Sequence, residues 1–156
     1  MHCLALDRQP TILVAEDNVA DIYLLREALH EHSVECGLLI FEEGASALAF
    51  ILNSARGSLA QERPDLFILD LNLPKVDGRS LLQNLRTLPE FKHAPVIVWT
   101  SSTSARDRQE SKRLGATAHF DKPSNLDAFM TIGAIVKSML EDIVAAAIAA
   151  QGRAEK

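Results

Sequence analysis

Glu16, Asp17, Asp70, Thr100 and Lys122 sit at or just beyond the ends of short apolar runs. Asp70 closes Leu66-Phe67-Ile68-Leu69 and opens Leu71-Asn72-Leu73-Pro74-Lys75-Val76-Asp77-Gly78. Glu16-Asp17 follows Thr11 to Ala15, Thr100 follows Pro95 to Trp99, and Lys122-Pro123 comes after Thr117 to Phe120. Apolar runs of this length, bounded by turn residues, read as fully buried parallel strands. Open α/β sheets bind ligands outside the carboxyl ends of such strands. An acid pair, an acid, a hydroxyl and a lysine placed there converge on one pocket. That pocket suits a phosphorylated aspartate.

The acids repel one another when brought together, and a small hard cation relieves the repulsion. Mg²⁺ takes a few carboxylate oxygens, retained waters and a phosphate, which suits Glu16, Asp17 and Asp70 better than a calcium cage. The backbone carbonyl of Asn72 is within reach of the same ion. No His/Cys spacing supports zinc. Asp70 is the nucleophile and forms an acyl phosphate. The product brings about −1.5 to −2 charges and three acceptor oxygens. Lys122 meets one oxygen as a point charge, Thr100 meets another as a hydroxyl donor, and backbone amides from Ser101 onward supply more. Thr100 must move to make its bond, so Ser101-Ser102-Thr103 and the helix after them shift with it.

Short buried strands alternate with helix-period segments five times, the pattern of βαβ units around a parallel sheet. The first helix begins near Asn18, has Asp21 in its first turn and repeats Ile22, Leu25 and Leu29. A second strand spans about Val34 to Phe41, and the second helix uses Leu48, Ile51 and Leu52. Asn53 to Arg63 reads as a long loop with room for an extra turn. The third helix follows Gly78, buries Leu81, Leu82, Leu85 and Leu88, and stops at Pro89. The fourth, Ser104 to Arg113, has almost no apolar stripe, so weak anchoring and local mobility are expected, with its charges forming either a solvated face or a switch surface. The last is expected to run unbroken from Ser124 to about Ala150, a rod of roughly 40 Å. Its final turns then overhang the sheet, pack on a second copy, or fray.

The chain of 156 residues is 47% hydrophobic, enough for one domain with an ordinary core. Its net charge of −5 argues against a nucleic-acid surface. Cys3 and Cys36 have no metal-ligand spacing and form no disulfide framework. No basic segment leads into an apolar core at the N-terminus, and the C-terminal apolar runs are broken by Lys137, Glu141 and Asp142. A soluble, cytoplasmic protein with no membrane contact is expected.

Taken together, Ile12 to Asn18, Leu66 to Pro74, Asp77-Gly78, Val98 to Ser101, Leu114-Gly115-Ala116 and Asp121-Lys122-Pro123 resemble the receiver domains of two-component response regulators. The resemblance covers about residues 11–140, leaving 1–10 as a lead and 141–156 as a helical extension and tail. It implies a flavodoxin-like, doubly wound parallel sheet of five strands in the order 2-1-3-4-5 with a lengthened C-terminal helix. It also implies phosphotransfer from a histidine kinase to Asp70. Mg²⁺ would be held by Asp17, Asp70 and the Asn72 carbonyl, with Glu16 acting through water. The Lys122-Pro123 bond is expected to be cis. Two positions depart from the pattern. His119 stands where a Tyr or Phe ring usually swings with the threonine. It either turns inward, adding a pH term to the switch, or faces solvent at the strand end. Ser102 occupies the position that influences acyl-phosphate hydrolysis. Glu16 to Leu25 and Asp70 to Arg79 are similar to small stand-alone regulators serving phytochrome-type kinases. Those tend to dimerise through the face of the fourth helix, fifth strand and fifth helix.

Other functions fit less well. Haloacid-dehalogenase-type phosphatases share the Ile68-Leu69-Asp70 strand but need a second Asp where Asn72 stands. A flavodoxin-like electron carrier needs a hydroxyl-rich phosphate loop where this chain has Glu16-Asp17. A receiver-shaped module that binds partners without phosphate is the remaining alternative.

Overall fold

The computed structural model describes residues 9–57, 63–102 and 104–154. Cys3, Thr103, most of the N-terminal lead and the centre of the 53–63 loop lie outside them. The elements run β1 (Thr11–Ala15), α1 (Val19–Glu31), β2 (Gly37–Phe41), α2 (Gly44–Ala55), β3 (Leu66–Asp70), α3 (Gly78–Thr87), β4 (Val96–Thr100), α4 (Ala105–Arg113), β5 (Ala118–Asp121), α5 (Leu126–Phe129) and α6 (Ile132–Ala154). The five strands are parallel in the order β2-β1-β3-β4-β5, as expected.

Successive strand residues point to opposite faces, so each central strand feeds two cores. Leu13, Phe67, Leu69, Val96 and Val98 meet Ala47 and Ile51 of α2 and Leu81, Leu82 and Leu85 of α3. Ile12, Val14, Ile68, Ile97 and Trp99 meet Leu25 and Leu29 of α1, Phe129, and Ile132, Val136 and Leu140 of α6. β3 and β4 are buried along their whole length. This explains why their sequences read as unbroken apolar runs rather than alternations.

Side-chain caps set the helix starts that aim at the site. Asn18 Oδ1 accepts from the Asp21 N–H, Asp77 Oδ1 from Ser80 and Ser104 Oγ from Asp107.

The last helix departs from expectation. It breaks after Phe129, and α6 then runs 23 residues from Ile132 to Ala154. At the break the Thr131 hydroxyl donates to the Ala128 carbonyl at 2.6 Å, while Gly133 and Ala134 make i→i−3 bonds. A threonine hydroxyl bonding back to the chain competes with the helical ladder. Gly133 also lets α6 lie close on α1: a Cβ there would fall 2.4 Å from the Ala28 carbonyl oxygen. Beyond Leu140 the helix has no fully buried residue among those described, and Ile148 is half exposed. The lengthened last helix is therefore present, with Ile143 still packed against the core and the turns beyond it largely exposed.

A second difference concerns Lys122-Pro123. No peptide bond among the described residues is cis. Trans is the intrinsically favoured isomer of X–Pro bonds, by about 0.5–1 kcal/mol. No described helix is long and apolar enough to cross a membrane.

Candidate functional site

Register brings the chemistry together. Ala15 lies opposite Leu69, so Glu16 and Asp70 project from adjacent strand ends. Asp70 lies opposite Trp99 and Thr100 opposite Asp121, which puts Lys122 beside the same opening. The Lys122 N–H donates to the Thr100 carbonyl at 2.7 Å and fixes where that side chain starts.

The Lys122 ammonium is the hub. Nζ donates to Glu16 Oε1 at 2.5 Å, Asp21 Oδ2 at 2.8 Å and Asp70 Oδ2 at 3.0 Å. It lies 4.7 Å from the centroid of the Trp99 ring, a cation–π distance. Glu16 is fully buried, and its other oxygen accepts from the Asn18 N–H. Burial pushes the Glu16 carboxyl up to about 7, even though Lys122 pulls the other way. For Lys122, burial favours the neutral amine, but hydrogen bonds to Asp21 and Glu16 carry its pKa above the ordinary value.

Carboxylate oxygens of Glu16, Asp17 and Asp70 lie within 4.8 Å of one another. Three hard oxygen donors at that spacing, one of them exposed, fit a divalent cation that keeps some of its waters. Asp70 Oδ1 accepts from the Asn72 N–H at 2.9 Å, which orients the carboxylate. Gly78 lies against the Asp70 backbone, where a Cβ would meet the carbonyl oxygen at 2.2 Å.

Thr100 is fully buried, and its hydroxyl oxygen accepts from Asn72 Nδ2 at 3.2 Å and from the Ser102 N–H at 3.1 Å. Ser101 is exposed just beyond β4. The Ser102 hydroxyl donates to Asp107 Oδ2 at 2.6 Å, and Arg79 Nη2 donates to Asp107 Oδ1 at 2.6 Å. Arg79 also pairs with Glu110. The Ser102 hydrogen bond and Arg79 hold the Asp107 carboxyl below its usual range against the opposing effect of burial. Ser111 is the one described residue of α4 that is fully buried, so the apolar anchoring is as poor as its sequence indicates. Polar clamps hold it instead.

His119 turns in beneath α4 with a side chain 10% exposed. Nδ1 is 2.9 Å from Ser111 Oγ, and Nε2 is 3.0 Å from Asp121 Oδ1; Asp121 also pairs with Arg108. The ring is packed between α4 and β5 rather than facing solvent.

Three features escape sequence reasoning. Asp21 reads as a first-turn helix acid, yet it reaches Lys122 as well. The contact has a signal in retrospect, because an acid one turn into the helix after Glu16-Asp17 shares their end of the sheet. Arg79 and Ser102 join the site's rim to α4, and no spacing rule announces that link. Trp99, read only as a strand residue, forms the floor under the lysine.

The chain matches the response regulator receiver domain family over residues 12–133. It is 35% identical over 133 residues to the response regulator Rcp1 of Synechocystis sp., spanning 85% of this chain and 90% of that protein. Among solved structures it resembles the phosphorylated cyanobacterial phytochrome response regulator RcpA. That match has a TM-score of 0.74 at 34% identity, over 85% of this chain and 94% of that one. The Mn(2+)-bound form of Rcp1 gives a TM-score of 0.73 at 34% identity, over 83% and 92% of the two chains.

Proposed function

Since the chain belongs to the response regulator receiver family, we propose that it is a stand-alone phosphoacceptor whose Asp70 takes a phosphoryl group from a histidine kinase. The observation that carries this reading is the Lys122 ammonium bridging Glu16 and Asp70 beside the Asp17 carboxylate. It sets a positive charge and a cation-competent acid group on either side of one nucleophilic oxygen pair. An Asp70 oxygen bonds to phosphorus as the phosphorus–nitrogen bond of the kinase phosphohistidine breaks, and the electron pair returns to the imidazole. Lys122 then meets one phosphoryl oxygen, and the Thr100 hydroxyl and the amides from Ser101 meet others. Asp17, Asp70 and the Asn72 carbonyl would hold Mg²⁺, with Glu16 acting through water. When bound, the ion offsets charge on the phosphoryl oxygens. The Mn(2+)-bound form of Rcp1 supports a divalent ion in this family.

Thr100 is the switch. Turning its hydroxyl toward the phosphoryl group disturbs the bonds its oxygen accepts from Asn72 and Ser102, and Ser102 is tied through Asp107 to Arg79 and α4. His119 is the second switch residue, since it ties β5 to α4 through Ser111. The face of α4, β5 and α6 changes, and it binds a partner or a second copy. The length of α6 past Leu140 supports a homodimer through this face and the C-terminal helix. In this reading 11–140 is the receiver, 1–10 a lead and 141–156 an extension. Similarity to RcpA supports a phytochrome-type kinase as partner. The protein works in the cytoplasm and catalyses only its own phosphorylation and slow autodephosphorylation.

Beryllofluoride tests this reading as a phosphoryl mimic. With Mg²⁺, Trp99 fluorescence is expected to change on titration, and to stay flat for Asp70→Asn or without the ion. Light scattering on the same samples should give a dimer mass in one of the two states, and truncation after Leu140 should lower it. A silent wild type would favour the phosphate-independent binding module. An unchanged mass on truncation would remove the role given to the tail.

A further inference from the structure

The Lys122 ammonium has three N–H donors and no acceptor. All three are engaged, by Glu16, Asp21 and Asp70. Glu16 and Asp70 also belong to the acid group that can hold a cation, whereas Asp21 contributes no oxygen to it. Asp21 comes instead from the first turn of α1, and its side chain is 21% exposed. The Trp99 ring closes one side of the ammonium at 4.7 Å. The lysine therefore has little room to find a new partner without giving up an old one.

We propose that Asp21 is a positioning residue that competes with the phosphoryl group for Lys122 and so weakens phosphoryl retention on Asp70. The inference rests on the phosphoacceptor reading and deepens it. Two effects act in the same direction. Asp21 occupies a donor that a phosphoryl oxygen would otherwise take. Its negative charge also lies near the point where phosphorylation adds negative charge, and partial burial keeps that repulsion from being fully screened. Its place in the first turn of α1 gives Asp21 a role in helix stability as well. That role has no reason to alter affinity for a ligand bound on Asp70.

The experiment is a beryllofluoride titration at saturating Mg²⁺, read by Trp99 fluorescence, for the wild type, Asp21→Asn and Asp21→Glu. Asp21→Asn is expected to bind roughly tenfold more tightly, because one unit charge is removed a few ångströms from the anion. Asp21→Glu restores the charge on a longer arm and is expected to return affinity toward the wild-type value. Asn binding equal to or weaker than wild type overturns the inference while leaving the phosphoacceptor reading intact. A wild type that binds no beryllofluoride overturns both.

Discussion

Replacing Lys122 with methionine is expected to lower the melting temperature of the metal-free protein by about 10 °C above neutral pH. The lysine is the shared counter-charge of Glu16, Asp21 and Asp70, and its side chain is only 6% exposed. Removing one partner of a buried ion pair leaves the other charge uncompensated, at a cost of about 3–5 kcal/mol. Protonation relieves part of this, because Glu16 already titrates at about 7. The lower end of that range therefore applies. The sign with pH follows. Without Lys122 the buried Glu16 carboxyl keeps a folded-state pKa above its unfolded one. Its protonated form is tolerated below the unfolded pKa, and stability falls as pH rises through the folded pKa. The variant should thus approach the wild type near pH 5 and diverge most near pH 8. Mg²⁺ should restore much of the loss by taking over the charge, while beryllofluoride binding stays weak. A melting temperature at pH 8 without metal within 2 °C of wild type would mean the three ion pairs contribute little to the fold.

Gly78→Ala is the second large effect. The added methyl would fall 2.2 Å from the Asp70 carbonyl oxygen and 2.9 Å from Leu71 Cα. Both obstacles are backbone, so neither can rotate away, and the start of α3 must separate from the end of β3. Overpacking of this kind costs about 1–3 kcal/mol, and a backbone clash belongs at the upper end. The strain lands on Asp70, the proposed nucleophile. A urea midpoint well below wild type is therefore expected together with slower phosphoryl acceptance on Asp70 from a small phosphodonor. Wild-type acceptance with lowered stability would show that the strain is absorbed in α3 alone.

The strand ends were legible because burial on both faces writes them as unbroken apolar runs. A polar residue closing Leu66 to Leu69 or Val96 to Trp99 has few places to go but the carboxyl edge of the sheet. Glu16, Asp17, Asp70, Thr100 and Lys122 could be grouped on that ground. Asp21, Arg79 and Ser102 could not, because their roles come from which helices lie side by side, and sequence period carries no such information. The break at Met130–Thr131 was hidden for a related reason. Phe129, Ile132, Val136 and Leu140 keep facing one core through the kink. The apolar pattern continues where the hydrogen-bond ladder does not. The weak stripe of α4 does mean poor apolar burial, but the clamp from Arg79 to Asp107 and Glu110 shows that a charged helix can be held by its charges, which runs against the weak holding its pattern implies.

The most direct test of the central claim is the intact mass of the protein after incubation with acetyl phosphate. One added phosphoryl group, dependent on Mg²⁺ and absent in Asp70→Asn, is the result this account predicts. An unmodified wild type, or an adduct that survives in Asp70→Asn, would contradict it.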